Sequence, residues 1–499
     1  MLSMIWDIIY VSGGIFLELA RYFIILLDIL FCIIIVFWER RNPQTALLWI
    51  ILMLFLPILG FIIYLFLGRH LYGAHIFTRK TIADRAIAAY AGGQMEQLKN
   101  AGGESGLYGF EPVAAFLCAA DNAFLTENNA VERFTDGEAK FAAFCETVAS
   151  AEKYIHLEYF IIRDDELGRD IIALLAKKAQ EGVIVRAIFD AGGTFSIRKK
   201  KFFAPLLEAG GDVRIFFPLK IPFLNTRLHF RDHRKILVVD GKTGMIGGFN
   251  IGDEYLGKGH LGYWRDTHLR IKGGGVAGLQ SRFIMDWNYA AKDAPIEMNA
   301  ENASLYYPEN LWENYGTSRV QIASSGPDSP EKAIYNGYVD LLSRAKKSVY
   351  IHSPYFVPDE PMLNAFRIAI RSGVDVRIVI PCKPDHPFIY WTNHSYLGDL
   401  IRLGARGYEY NDGFIHSKAS IYDGEVAAVG TANWDVRSFK LNFETQAFVY
   451  DKEFASEMSA DFLKELETNC KEITLADYNN RPAAMKIKEG ICRLFSPIL

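Results

Sequence analysis

The chain has 499 residues, of which 50% are hydrophobic and 22% are charged. This length accommodates two or three domains, and 54 basic against 58 acidic residues give a formal net charge of −4, which excludes a globally basic nucleic-acid-binding protein. The six cysteines are scattered without metal-ligand spacing, so we expect buried free thiols and neither a disulfide scaffold nor a structural metal site.

The first 70 residues are predicted to form a membrane hairpin. Residues 46–67 contain no charge, and at about 1.5 Å per residue they are long enough to cross a hydrocarbon core of ~30 Å. An earlier span is predicted over residues 20–38, where Asp28 is the single charge after Arg21. Residues 1–20 fit either an interfacial segment or an extension of this span. The basic residues that follow the second span favour a cytoplasmic location for the rest of the chain.

After a predicted linker at residues 71–109, the chain repeats itself. The pattern H-x-K-x₄-D occurs as HRKILVVD at residues 233–240 and as HSKASIYD at residues 416–423. Six residues after each copy comes a Gly-x-x-Asn sequence, GGFN ending at Asn250 and GTAN ending at Asn433. Upstream, YIHLEYF at 154–160 is echoed by YIHSPYF at 350–356. The copies are 196 residues apart upstream and 183 apart at the motif, which implies a net insertion of 13 residues in the first half; we place it around residues 196–201.

Helices and strands alternate in the same order in both copies, which is typical of an α/β fold with a partly parallel sheet. We therefore predict a first half at residues 110–318 and a second half at residues 319–499. The first half is expected to contain helices at 140–150 and 167–181 and strands at 154–161, 183–190 and 236–239. The second half is expected to contain helices at 333–346 and 361–372 and strands at 349–356, 374–380 and 419–422.

The duplicated motif carries the residue types that phosphodiester transfer requires. One histidine can attack phosphorus as a neutral imidazole while the other, protonated, donates to the leaving oxygen, so His233 and His416 are the candidate pair. The amines of Lys235 and Lys418 are predicted to bind the phosphoryl oxygens, and the side-chain amides of the two Gly-x-x-Asn sequences (Asn250 and Asn433) can add donors. This donor set predicts chemistry without a metal ion or another cofactor. A surface His and Lys on a β-edge is the alternative for one isolated motif, but two copies with identical spacing disfavour it.

With these motifs the chain resembles the phospholipase D superfamily, and within it the bacterial cardiolipin synthases. The similarity also includes the polar stretch at residues 39–44, YWRDTH at 263–268, NWDVRS at 433–438 and the ending RLFSPIL at 493–499. It therefore extends over nearly the whole chain.

The resemblance implies two phospholipase D-like α-β-α halves, packed as a pseudo-dimer behind a transmembrane hairpin in a bacterial cell membrane, with both motifs meeting at one site. It implies that one phosphatidylglycerol transfers its phosphatidyl group to another through a phosphatidyl-histidine, giving cardiolipin and glycerol. We favour His233 as the nucleophile. The motif carboxylates Asp240 and Asp423 are expected to support the motif structurally, whereas Asp266 and Glu444 are expected to orient the imidazoles.

Three alternatives remain at this stage. A membrane-bound phospholipase D would use the same residues to hydrolyse phospholipid to phosphatidic acid. A nuclease is disfavoured by the hairpin and by the acidic net charge, so we expect phospholipid and membrane partners and no nucleic acid. An inactive scaffold is disfavoured by two complete motifs. The acceptor lipid, the acyl preference and the oligomeric state are left open by the sequence.

Overall fold

The computed structural model describes residues 22–23, 25–37, 43–64, 106–197, 199–218, 230–329 and 331–496. Residues 1–20 and most of the predicted linker at 71–109 lie outside this part of the chain. The described residues up to Tyr64 belong to one compact unit and those from Gly106 onward to another.

The N-terminal unit consists of packed helical segments. Residues 25–37 are helical, followed by helix α1 (Pro43–Phe55) and helix α2 (Pro57–Ile63). The bend at Leu56 comes immediately before Pro57, since a proline disfavours helical geometry in the residue that precedes it. The segments pack through a small apolar core of Ile35, Trp49, Met53 and Tyr64.

The outer surface of this N-terminal unit is apolar. Large side chains such as Leu26, Phe37, Leu54 and Phe55 are exposed. Asp28, in contrast, is buried. Within the described residues, no helix is both long and apolar enough to cross a membrane.

The second unit is built on strands that follow the predicted order. They are β1 (Leu125–Phe134), β2 (Tyr154–Tyr159), β3 (Ile184–Asp190), β4 (Asp212–Phe216), β5 (Lys235–Val239), β6 (Thr243–Gly247), β7 (Trp264–Arg265), β8 (His268–Lys272), β9 (Ser318–Ser325), β10 (Ser348–His352), β11 (Phe356–Val357), β12 (Asp375–Pro381), β13 (Arg406–Tyr410), β14 (Phe414–Ile415), β15 (Ala419–Tyr422), β16 (Val426–Gly430), β17 (Trp434–Asp435), β18 (Glu444–Tyr450) and β19 (Cys470–Ile473). The strands that carry the two motifs, β5 and β15, are buried along their whole length, which explains their continuous apolar sequences.

Helices cover both faces of these strands. They are α3 (Glu111–Asp121), α4 (Gly137–Ala149), α5 (Glu166–Gln180), α6 (Lys199–Phe202), α7 (Ala204–Glu208), α8 (Gly275–Ala290), α9 (Ala300–Tyr306), α10 (Ala333–Arg344), α11 (Glu360–Arg371), α12 (Pro387–Leu403), α13 (Val436–Lys440), α14 (Lys452–Thr468), α15 (Leu475–Asn480) and α16 (Ala483–Leu494). Several begin at an aspartate that caps a backbone N–H, as Asp136 does for Ala139 at 2.9 Å.

The sheet shows the duplication directly. Its 15 strands run β19-β13-β12-β10-β15-β16-β18-β9-β1-β8-β6-β5-β2-β3-β4, so the two copies extend in mirrored order from the adjacent strands β9 and β1. In each copy three neighbouring strands of this sheet are parallel (β2, β3 and β4; β10, β12 and β13), and its other neighbours pair antiparallel. Two separate two-stranded sheets, β11 with β17 and β7 with β14, are parallel. One core lies within the first copy, and a central core combines side chains of both copies. The predicted α/β class and the duplication of an α-β-α unit are confirmed.

Two further sequence predictions concern the extent of the first half and the position of the insertion. Helix α3, which the predicted boundaries assign to the first half, packs with Ile334, Tyr338 and Leu341 in the core of the second copy.

The placement of the insertion at 196–201 is wrong for most of the 13 residues. From the end of β4 at Phe216 to His233 there are 17 positions, whereas from the end of β13 at Tyr410 to His416 there are 6, so 11 extra residues lie just before the first motif.

Candidate active site

Backbone hydrogen bonds between the two copies bring the motifs together. The N–H of His233 donates to the carbonyl of Phe443 at 3.0 Å, and the N–H of His416 donates to the carbonyl of Arg265 at 2.8 Å. Phe443 and Arg265 directly precede Glu444 and Asp266, the two acidic residues that the resemblance implies as partners of the imidazoles. Each histidine is therefore anchored by backbone to the carboxylate-bearing segment of the opposite copy.

The side chains complete two crossed histidine–carboxylate pairs. Nδ1 of His233 lies 2.9 Å from Oε2 of Glu444, and Nδ1 of His416 lies 2.7 Å from Oδ2 of Asp266. All four side chains are buried. A carboxylate on Nδ1 holds the proton there, and Nε2 is left as the reacting nitrogen.

The two carboxylates have different further partners. Glu444 accepts from the hydroxyl of Thr431 at 2.5 Å and from the amide of Asn442 at 3.2 Å. Asp266 accepts instead from the backbone N–H of Thr267 at 2.7 Å. Thr431 and Asn442 are not among the predicted site residues, although Thr431 occupies the variable second position of the Gly-x-x-Asn sequence.

Glycine is required opposite Asp266. A Cβ added at Gly248 would lie 2.0 Å from Oδ1 of Asp266, whereas the same position in the second copy is Thr431, which binds its carboxylate. GGFN therefore leaves room for the carboxylate of Asp266, whereas GTAN supplies a hydroxyl that binds the carboxylate of Glu444.

The motif lysines are buried beside the imidazoles. Nζ of Lys235 donates to the carbonyl of His233 at 2.6 Å, and Nζ of Lys418 donates to the carbonyl of His416. Burial lowers the pKa of Lys235 to about 7. The Glu444 carboxylate opposes this shift, and the Lys418 ammonium adds to it. Burial likewise lowers the pKa of Lys418 to about 8, against the raising effects of Asp266 and Glu444. The two amines and both carboxylates therefore share one electrostatic environment.

Both imidazoles are held in the neutral form. Burial lowers the pKa of His233 to about 4, although Glu444 opposes the shift. Burial and the Lys418 ammonium lower the pKa of His416 to about 4, and Asp266 opposes them. An anionic phosphodiester in the site would counter the two ammonium groups and make protonation of one imidazole easier.

The motif aspartates lie away from the imidazoles and bind backbone. Asp240 accepts from the N–H groups of Glu152, Lys153 and Tyr154, each at 2.8 Å, at the start of β2. Asp423 makes the equivalent contacts to residues 346–348 before and at the start of β10. These contacts fit the predicted supporting role.

The two asparagines differ in their surroundings. Nδ2 of Asn250 donates to the hydroxyl of Tyr255 at 2.6 Å, and its Oδ1 accepts from the N–H of Ile161 at 3.3 Å. Asn433 is also buried, and its backbone N–H donates to the hydroxyl of Ser438 at 3.2 Å. The amide of Asn250 is thus already engaged with Tyr255, while that of Asn433 is the less committed donor.

Two imidazoles with carboxylate partners, flanked by two buried amines, can perform nucleophilic and acid–base chemistry on a phosphodiester. Within the described part of the chain, no group of three or more His, Cys, Asp or Glu side chains is arranged to hold a metal ion. Fold and site together define a duplicated phosphodiester-transfer enzyme of the phospholipase D type.

Comparisons with known proteins identify the family. The family described as cardiolipin synthase, PLD-like domain, matches residues 144–260 and 338–466, and the phospholipase D–nuclease N-terminal family matches residues 26–69. The major cardiolipin synthase ClsA of Bacillus subtilis is 44% identical over 496 residues, covering 96% of this chain and 98% of the relative. A cardiolipin synthase of Staphylococcus aureus (strain N315) is 44% identical over 478 residues, covering 95% of each chain.

The fold is shared with the crystal structure of a phosphatidylserine synthase from Haemophilus influenzae. The TM-score is 0.60 at 16% identity, with coverage of 78% of this chain and 100% of that chain. The chain belongs to the bacterial cardiolipin synthase family of the phospholipase D superfamily.

Proposed function

We propose that this protein synthesises cardiolipin by transferring the phosphatidyl group of one phosphatidylglycerol to a second one, with release of glycerol. The observation that carries the proposal is the pair of crossed dyads, His233–Glu444 and His416–Asp266, together with the buried amines of Lys235 and Lys418, on which both carboxylates act. The full-length relatives at 43–44% identity, which are named cardiolipin synthases, support the choice of substrate class.

In the first half-reaction, Nε2 of one histidine attacks phosphorus and the bond from phosphorus to the glycerol oxygen breaks. The second histidine, as an imidazolium, gives its Nε2 proton to that oxygen, so glycerol leaves as a neutral alcohol. In the second half-reaction a hydroxyl of another phosphatidylglycerol loses its proton to the second histidine and attacks phosphorus. The phosphorus–nitrogen bond then breaks and cardiolipin is released. One phosphodiester replaces another, so no nucleotide or other cofactor is invoked.

We assign His233 as the nucleophile and His416 as the acid and base. Hydrogen bonds donated to a carboxylate stabilise its charge and weaken it as a base. Glu444 accepts hydrogen bonds from the side chains of Thr431 and Asn442, whereas Asp266 accepts, in addition to its contact with His416, from the backbone N–H of Thr267. Asp266 is therefore better able to stabilise an imidazolium on His416.

The amines and amides are assigned to the phosphoryl oxygens. Lys235 and Lys418 would supply positive charge to the transition state, and the negative charge of a bound phosphodiester would raise their lowered pKa values and so keep them protonated. Asn433 and, after release from Tyr255, Asn250 would add neutral donors.

We further propose that residues 20–38 and 46–67 anchor the protein in the bacterial cell membrane as a hairpin, with the catalytic unit in the cytoplasm. The exposed apolar side chains of the N-terminal unit support this, because contiguous apolar surface of that extent is unfavourable in water. Reaction of a cysteine introduced at the exposed Ser343 with a membrane-impermeant thiol reagent, measured against the unsubstituted protein in intact cells and after permeabilisation, tests the orientation. Labelling only after permeabilisation is expected, and labelling in intact cells would reverse the assignment.

The central test is a lipid assay of the full-length protein in phosphatidylglycerol vesicles containing EDTA. Cardiolipin and glycerol should form with the wild type and fall by at least about 10³-fold in His233→Ala and His416→Ala, as expected for loss of a nucleophile or its acid–base partner. His260→Ala, which removes an exposed histidine, is the matched control and should retain activity. Phosphatidic acid as the sole product would indicate a hydrolase, and undiminished activity in either active-site variant would refute the mechanism.

A further inference from the structure

The C-terminal helix α16 exposes an apolar stripe. Ile487, Ile491 and Leu494 lie on one side of the helix at spacings of four and three residues, and Phe495 follows directly. Their exposed fractions are 61%, 52%, 72% and 47%. We call these four residues the C-terminal stripe. Side chains of this size and exposure on a single helix face are unusual for a surface that contacts only water.

The opposite side of α16 is what attaches it to the catalytic unit. Cys492 and Glu489 are buried, and Glu489 forms an ion pair with Arg481 at 2.8 Å. The guanidinium of Arg493 stacks 4.3 Å from the ring centroid of Tyr396 on helix α12. The helix is thus fixed on the body by its other face, and the C-terminal stripe is not needed for that packing.

The charges around the C-terminal stripe are positive. Lys486 and Lys488 are exposed beside it, and Glu489, the one acidic residue between Ala483 and Phe495, is buried in its ion pair. A surface with apolar side chains, exposed lysines and no exposed carboxylate on the helix matches the surface of an anionic lipid bilayer.

The stripe also ends near a loop that acts on the active site. The ring of Phe495 lies 5.6 Å from that of Phe388, in the first turn of α12. The loop just before this turn carries Asp385, which accepts a hydrogen bond from Tyr355 and acts electrostatically on Lys418. The C-terminal stripe therefore ends next to a loop whose Asp385 carboxylate acts electrostatically on Lys418 of the second motif.

From these observations we propose that the C-terminal stripe docks the catalytic unit on the surface of an anionic phospholipid bilayer, with its apolar side chains at the boundary between headgroups and acyl chains and Lys486 and Lys488 facing the headgroup phosphates. This places the loop that carries Asp385, which acts on Lys418, close to the source of the substrate. The inference rests on the proposed function in one respect, namely that the substrate is a bilayer lipid.

The kinetic test compares two physical forms of one substrate with the full-length protein. The variant Ile487→Ser/Ile491→Ser/Leu494→Ser should lose at least tenfold in kcat/KM on vesicles of long-chain phosphatidylglycerol, and it should match the wild type on short-chain phosphatidylglycerol dissolved below its micelle concentration. Ile368→Ser, which removes a 63% exposed isoleucine from helix α11, is the matched control and should be unaffected on both. Equal activity of the triple variant and the wild type on vesicles, or an equal loss on both substrates, would overturn the inference.

A direct test does not depend on catalysis. A photoreactive substitution, Ile491→benzoylphenylalanine, should cross-link to lipid in phosphatidylglycerol vesicles at least fivefold more than the same substitution at Ile368. Equal lipid adducts at both positions, or adducts at position 491 to a second copy of the chain, would overturn the inference. If the wild type made no cardiolipin from any substrate, the proposed function would fail, and the cross-linking result would still decide the docking surface.

Discussion

Asp266→Asn is expected to disable His416 although the two residues belong to different halves of the chain. Oδ1 of Asp266 accepts from the N–H of Thr267 at 2.7 Å, and Oδ2 faces Nδ1 of His416 at 2.7 Å. An asparagine must keep its oxygen toward the Thr267 N–H, so its NH₂ group takes the position that faces Nδ1. The amide then donates to Nδ1 and places the imidazole proton on Nε2.

The size of the effect follows from two contributions. Loss of a hydrogen bond to a charged group costs about 1.5–3 kcal/mol, which corresponds to roughly 10- to 150-fold in rate. The wrong tautomer adds to this, because a neutral imidazole that already carries its proton on Nε2 cannot accept the proton of the attacking hydroxyl. An asparagine in place of a catalytic-triad aspartate lowers kcat by about 10⁴-fold, so we expect a loss between ~10² and ~10⁴.

The assay is cardiolipin formation in phosphatidylglycerol vesicles, with thermal unfolding measured on the same preparations. Asp293→Asn, an identical chemical change at an exposed aspartate that pairs with Arg214, should be fully active. The double variant Asp266→Asn/His416→Ala should be no worse than His416→Ala alone, since both substitutions disable one dyad. The reasoning is refuted if folded Asp266→Asn retains activity within threefold of the wild type.

Three further predictions concern the surroundings of the dyads. Gly248→Ala should reduce cardiolipin formation at least ~100-fold, because the added Cβ displaces the carboxylate of Asp266. The control Gly490→Ala, whose Cβ would meet no atom within 4 Å, should keep wild-type activity. Equal activities of the two variants would contradict this prediction. Asp240→Ala leaves three backbone N–H groups without their acceptor, so urea denaturation should show a free energy of unfolding that is lower by about 1–3 kcal/mol. An unchanged urea midpoint would contradict the supporting role of Asp240. The motif lysines, with pKa values of about 7 and 8, lose their protons as pH rises, so kcat/KM should fall above pH ~8; a flat profile from pH 7 to 10 would contradict their role.

The local elements were predictable because their patterns are strong. Strands expected at 236–239 and 419–422 occur as β5 and β15, and the helix expected at 361–372 is α11 at Glu360–Arg371. Continuous apolar runs specify buried strands, and the amphipathic period of a helix is visible in the sequence. The strand expected at 349–356 was too long, because the chain leaves the sheet after His352 and Phe356 begins a separate short strand that pairs with β17.

The partners of the catalytic candidates were not predictable. Asp266 and Glu444 came from a resemblance, and nothing in their spacing shows that each binds the histidine of the other half. Those contacts join residues 150 and 211 positions apart, and they depend on how the two copies pack. The packing of α3 with the second copy has the same origin: an apolar helix face shows that a partner exists but does not identify it.

Crossing of the dyads explains why the two copies must pack together to form a complete site. A single copy contains a histidine, a lysine and a carboxylate, but its carboxylate lies behind the imidazole of the other copy, so an isolated half would hold a histidine without its Nδ1 partner. Backbone segments pair across the copies, 231–233 with 443 and 263–265 with 414–416, and they carry or directly precede the side chains of the two dyads. Association of the halves and assembly of the site are therefore one event. The two dyads are separate in sequence, so they can diverge. Under the proposed mechanism, the difference between Gly248 beside Asp266 and Thr431 beside Glu444 would let one imidazole attack phosphorus while the other moves the proton.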